Sequence, residues 1–134
     1  LVAVSRLCPP GHPREAEALT AAREGLDWLA RLQNTDGGIP TFCRGWGKLP
    51  FDRSAADLTA HAIEALTAWM PRLEPEDAQR FGRVRARCMR FLLRTQRSDG
   101  TWLPLWFGTQ TTPEGDNPIF GTARVLRASR GGSP

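Results

Sequence analysis

Apolar residues recur at helical spacing in two stretches of the chain, each following a proline. Leu19, Ala22, Leu26 and Leu29 do so after Pro13, and Phe81, Val84, Cys88, Phe91 and Leu92 do so after Pro75. Both patterns predict amphipathic helices that bury one face, with the proline near a first turn where its missing N–H is not needed. Between them, from roughly Ala55 to Trp69, the residues Leu58, Ala62, Ile63, Ala65, Leu66 and Trp69 cover most of a helical circumference. A helix that is apolar nearly all round belongs inside. The opening "LVAVSRL" reads as the end of another such helix, so we expect a piece of a longer chain. No run approaches the roughly 18 apolar residues of a membrane-spanning helix, and no signal-peptide pattern is present.

The pattern repeats. "GLDWLARLQNTDGG" and "CMRFLLRTQRSDGT" align without a gap, setting Trp28 on Phe91, Gln33 on Gln96, Asp36 on Asp99 and Gly37 on Gly100, a constant offset of 63 residues. The same offset sets Thr59 and Ala60 opposite Thr122 and Ala123. A repeat of helix pairs is therefore expected, with units of about 14–69 and 75–129 in a single domain, and 1–12 as the end of a preceding inner helix and a linker. One half-exposed and one buried helix per unit implies an outer layer around an inner one. The connecting segments, 36–54 and 98–118, are rich in Gly, Pro and aromatics, the kind of loop on which a binding site is built.

Composition changes this picture little. Of 134 residues 40% are hydrophobic, ordinary for a globular domain. The 18 Lys and Arg outnumber the 14 Asp and Glu, and the excess gathers between Arg80 and Arg97. A solvated helix face is the plain expectation there. Phe81 and Phe91 join the apolar stripe instead of interleaving with the arginines, so no nucleic-acid partner is expected; an anionic membrane surface suits the cluster better. Cys8, Cys43 and Cys88 are odd in number and widely spaced, which suggests neither a disulfide framework nor a zinc site.

Three constellations carry candidate chemistry. Gln96, Gly100 and Trp102 make a clamp: the amide can bond backbone groups at a neighbouring helix end and stack on the indole, tying units together. In the first copy Ile39 stands where Trp102 stands, so that clamp is expected to be the weaker one. Ser54 and Asp57 form a capping-box pattern at a helix start. His61, four residues after Asp57 and so on the same face, is either a satisfied core histidine or an imidazole that the carboxylate keeps charged to orient another carboxyl group. Finally, Phe42, Trp46, Trp106 and Phe120 sit in or beside the loops, where converging π faces would stabilise positive charge on a substrate without polar handles.

Together these residues resemble the squalene-hopene cyclase family and the wider class of triterpene cyclases. "FLLRTQRSDGTW" is similar to its glutamine-tryptophan repeat, "DRSAADLTAHAIEAL" to its Asp-x-Thr-Ala-His inner helix, and "WFG" with "FGTARVL" to elements that close the same region. The resemblance, from about Gly25 to Ala128, implies an all-α fold, an incomplete α/α toroid of outer and inner helix pairs. It implies an isomerase that needs no metal, cofactor or nucleotide and protonates a polyprenoid such as squalene with an Asp-x-Asp-Asp acid, starting a carbocation cascade. His61 matches the histidine that hydrogen-bonds this acid, and Asp57 the acidic residue one turn before it. Phe42 and Trp46 fall near cavity-lining positions, Trp106 matches another, and Phe120 stands where the family has Tyr. The link "TQTTPEGDNPI" is longer than the family's, and the acid motif itself is absent from this chain. The chain alone is accordingly expected to be inactive. The resemblance further implies peripheral attachment at the cytoplasmic face of a membrane and a homodimer of the full-length parent. Two other readings stand beside it: a non-catalytic α/α toroid that binds lipid or protein, and the prenyltransferase β-subunit type, which would need zinc held by Asp, Cys and His.

Overall fold

The structure, a computed structural model, describes residues 1–45, 48–49, 51–110, 112 and 114–130. The described residues form five α-helices: α1 (Val2–Leu7), α2 (Glu15–Leu32), α3 (Ala56–Trp69), α4 (Pro75–Thr95) and α5 (Pro118–Arg130). The chain is all-α in class, as the periodicity predicts. Two short strands, β1 (Ile39–Pro40) and β2 (Ser54–Ala55), pair antiparallel with Ile39 opposite Ala55 and close the first connection, a feature the helical patterns do not announce.

Helix α3 is the hub. It packs most extensively on α4 and α5 and also touches α1 and α2. Ala60, Ile63, Leu66 and Trp69 are sealed from solvent. One cluster joins the first half of α3 to Cys88, Phe91 and Leu92 of α4, to Trp102 and to Val125 and Ala128 of α5. A second joins its end to Ala18, Ala22 and Leu26 of α2 and Phe81 of α4. Thus α1, α3 and α5 lie side by side as an inner layer, with α2 and α4 behind them.

The offset of 63 is visible in hydrogen bonds as well as in letters. Gln33 Nε2 donates to Gly37 O at 2.8 Å and Gln96 Nε2 to Gly100 O at 2.9 Å. The amide of Gly38 donates to Asp36 Oδ1 at 2.9 Å, that of Thr101 to Asp99 Oδ1 at 3.0 Å. The Ile39 N–H reaches Thr59 Oγ1 at 2.9 Å, the Trp102 N–H Thr122 Oγ1 at 3.1 Å. Each turn needs a left-handed residue, supplied by Gly37 at φ 93° and Gly100 at φ 82°.

Three expectations change. The clamp between units is carried by the first copy: Gln33 is buried, and its amide also reaches Val84 O at 3.1 Å and Cys88 Sγ at 3.2 Å on α4. Among the described residues the exposed Gln96 bonds only its own turn, while the Trp102 indole donates back to Leu92 O of the preceding helix α4 at 2.8 Å. The capping box at Ser54 does not form. Ala55 takes the N-cap position, because the β1–β2 pairing and the first turn draw the Ser54 hydroxyl to Asp36 Oδ1 (2.8 Å) and Asn34 Nδ2 (3.0 Å). Nor is the arginine cluster of α4 merely solvated. Arg80 pairs with Asp27 and Asp77, Arg87 donates to Asn34 O at 2.9 Å, Arg94 to Asp36 O and Arg85 to Thr67 Oγ1 at 3.0 Å. Cations at the end of α2 are favourable because its last carbonyls carry partial negative charge.

Candidate functional site

An apolar cleft of about 410 Å³ opens between α1, α2, α3 and β1. Trp28, Leu29 and Leu32 form one wall and Leu1, Val2 and Ala3 another, with Ile39, Pro40 and Thr41 across the end. Leu58, His61, Ala62 and Ala65 of α3 complete it, so His61 is the titratable group on a lining that is apolar apart from Thr41. It gets there because α3 is apolar on nearly every face, and helical spacing aims position 61 between α1 and the first connection.

Although His61 is exposed by surface area, the protein packed around it holds its pKa below the ordinary value near 6.5. Arg124 of α5 adds to that shift, and Arg127 does so more weakly. Glu64 and Asp57 of α3 act in the opposite sense but do not prevail. Arg124 is the repeat equivalent of His61, and Arg127 that of Glu64, with which it forms a two-pronged ion pair at 2.6 and 2.8 Å. The shift is toward the neutral imidazole, away from the charged one of the two sequence readings.

A depressed base penalises folding where only the unfolded chain takes up the proton. As pH falls through about 6.5 the unfolded His61 protonates first, so stability declines until the folded imidazole titrates, then levels. A His61→Asn variant is expected to lose that part of the pH dependence, measured by denaturant unfolding between pH 7.5 and 4.5. An unchanged slope would place the effect elsewhere.

Asp57 is 2% exposed, and its Oδ1 has no hydrogen-bond partner among the described residues. A carboxylate oxygen left bare in the interior is costly unless something else donates to it. Asp57 and His61 make no hydrogen bond to each other among the described residues; His61 feels Asp57 only as a nearby charge.

None of Phe42, Trp106 and Phe120 lines the cleft. Trp106 Nε1 donates to Thr41 Oγ1 and thereby fastens the second connection to the cleft mouth. Phe42, next to Thr41, is 72% exposed. Phe120 packs against Phe107 with ring centroids 4.8 Å apart, and the Arg124 guanidinium lies 5.0 Å from its ring. The π face of Phe120 thus already has a cation. Trp46 lies outside the described residues. Sequence reasoning missed Trp28 and Thr41 as cleft residues and Arg124 as the neighbour of His61. The offset of 63 was the available signal for Arg124; none marked Trp28, which sits where the second copy has a core Phe.

Comparison with known proteins decides the family. The model of the squalene-hopene cyclase C-terminal domain matches residues 3–131. The chain belongs to this family. Among similar curated proteins, a terpene cyclase–glycosyl transferase fusion protein of Humicola fuscoatra is 30% identical over 134 residues, covering 87% of this chain and 9% of that protein. The drimenyl diphosphate synthase of Streptomyces showdoensis is 36% identical over 107 residues, covering 80% of this chain and 16% of that protein. The squalene–hopene cyclase of Alicyclobacillus acidocaldarius is 28% identical over 141 residues, covering 94% and 19%. The chain therefore spans less than a fifth of the length of these relatives. No solved structure matches it at a significant level.

Proposed function

We propose that the chain is part of the catalytic domain of a terpene cyclase, in a whole protein that cyclises squalene or a related polyprenoid. The observation that carries this is His61: an imidazole on a mostly apolar lining, with Thr41 on the same lining held by Trp106, in a chain of a cyclase family. The acid is an Asp from outside the chain, which has no Asp-rich motif of its own. Its carboxyl group, arriving beside His61, raises the imidazole pKa again and accepts a hydrogen bond that orients the proton. Asp57 supports the same group from one turn below. Phe42, Trp46 and Trp106 supply π faces for the developing carbocation, and Phe120, its own face taken by Arg124, stands beside them. Residues 1–134 form a single partial toroid domain, with units at about 14–69 and 75–129, and the isolated chain is inactive.

No helix among the described residues is long and apolar enough to cross a membrane. The whole protein takes its lipid from a membrane surface, attached peripherally at the cytoplasmic face, and works as a homodimer. It uses no metal or cofactor.

The test is to incubate the full-length protein with squalene and, separately, with a linear prenyl diphosphate. A cyclic product from either is expected. Tight binding with only linear substrate recovered from both would replace this proposal by a non-catalytic lipid-binding toroid. Within an active enzyme, Trp106→Ala is expected to lower turnover about tenfold, the equivalent of about 1.4 kcal/mol of lost cation stabilisation.

A further inference from the structure

Four arginines of helix α4 share one line of its surface. Arg83, Arg87, Arg90 and Arg94 stand at i, i+4, i+7 and i+11, so helical geometry sets them within an arc of about 60° and along about 16 Å of axis. All four are exposed. The ion pairs that α4 makes among the described residues belong to Asp77 and Arg80 near its start, and none of the four arginines has a carboxylate partner there. Arg87 and Arg94 donate to Asn34 O and Asp36 O, which fixes their direction and leaves their charge uncancelled. Arg83 and Arg90 have no polar partner among the described residues. No Asp or Glu occurs between Arg80 and Arg97, and the nearest acid on the same line is Glu76, two turns before Arg83. Like charges at i and i+4 destabilise a helix, so nothing on this face offsets the repulsion until an anion arrives.

The chemistry of the face selects that anion. A guanidinium pairs two-pronged with a phosphate. Phe81 and Phe91 are buried, so the stripe offers no ring on which a base could stack. Leu93, 66% exposed, edges the stripe, and a bilayer can take up such a side chain where a nucleic-acid backbone cannot. We infer that this face of α4 docks on the phosphates of anionic lipid in a bilayer. The inference rests on the membrane attachment proposed above and adds to it the face that makes contact and the lipid class that it requires.

Sedimentation of the full-length protein with vesicles tests it, using phosphatidylcholine alone and phosphatidylcholine mixed with phosphatidylglycerol. Binding is expected to favour the mixed vesicles strongly, and that preference should vanish near 1 M salt, where the screening length is about 3 Å. Arg83→Gln combined with Arg90→Gln removes two cations that hold nothing else in place. Binding to the mixed vesicles should then weaken roughly 30-fold, about 1 kcal/mol for each charge. Arg6→Gln combined with Arg14→Gln lowers the net charge equally, from α1 and the start of α2, and should leave binding largely intact. Equal losses for the two pairs would make net charge the cause and overturn the inference. Equal binding to neutral and mixed vesicles would overturn it too, while leaving membrane attachment standing; binding to neither would remove both. Tighter binding to an RNA or DNA duplex, sensitive to the Arg83 and Arg90 pair, would assign the stripe to nucleic acid and equally overturn it. Conversion of squalene in detergent micelles should be the same with and without the two arginines, which keeps the outcome separate from the cyclase proposal.

Discussion

Replacing Gln33 by Ala is expected to destabilise the chain by about 2–3 kcal/mol, whereas Gln96→Ala should stay within about 0.5 kcal/mol. The two glutamines occupy identical places in the repeat and make the same bond to their own turn. Only Gln33 is buried, and only its amide also contacts Val84 O and Cys88 Sγ on the facing helix. Its nitrogen must face the two carbonyl oxygens, because an amide oxygen there would meet acceptors alone. Truncation leaves Gly37 O without this donor and opens a void between α2 and α4. The buried Oε1 has no hydrogen-bond partner among the described residues, and losing it offsets a share of the cost. The melting temperature should fall by roughly 10 °C for Gln33→Ala and hardly move for Gln96→Ala. Equal shifts for the two variants would mean that the turn, not the contact between helices, sets the effect.

This asymmetry shows where sequence reading stops. The offset of 63, the helix positions and the inner burial of α3 are legible because they depend on periodicity along the chain. Which glutamine braces two units depends on what stands opposite. Gln33 has α4 before it, while Gln96 has no outer helix against it among the described residues. Judged by the local motif alone, Trp102 makes the second copy look complete, but its indole returns to Leu92 O on the preceding helix α4. Likewise Ser54 and Asp57 have the spacing of a capping box, yet Asn34 and Asp36, 20 and 18 residues upstream of Ser54, claim the hydroxyl first. The arginines of α4 follow the same rule, since the carbonyls and carboxylates they bind lie on other elements.

The candidate site was half legible. His61 stood out because a titratable ring on an apolar helix is conspicuous, and the structure puts it on the cleft lining. Its titration could not be read locally, because burial against the cleft dominates it and Arg124, which adds to the shift, arrives from α5. Phe42, Trp106 and Phe120 are near one another in the sense that the loops are, but side-chain direction in a Gly- and Pro-rich connection has no periodicity from which to infer it. Hence Trp106 is found at the rim, held by Thr41, and Phe120 under Arg124.

His61→Ala in the full-length protein is the substitution expected to cost most in activity, about 10²–10⁴ in kcat with KM little changed. The ring would touch the acid and not the polyene, which makes it a positioning residue whose loss spares substrate binding. Two further measurements separate this from a general structural role. Arg124→Leu removes the cation that helps hold the imidazole neutral, so His61 should stay protonated to higher pH and the alkaline limb of the pH–rate profile should move up. His61→Gln, which keeps a donor of similar reach but cannot titrate, should recover a share of the rate and flatten that limb. Turnover unchanged by His61→Ala would remove the histidine from the chemistry. A loss accompanied by a proportional rise in KM, with no change in the pH limb for Arg124→Leu, would make His61 a packing residue at the cleft.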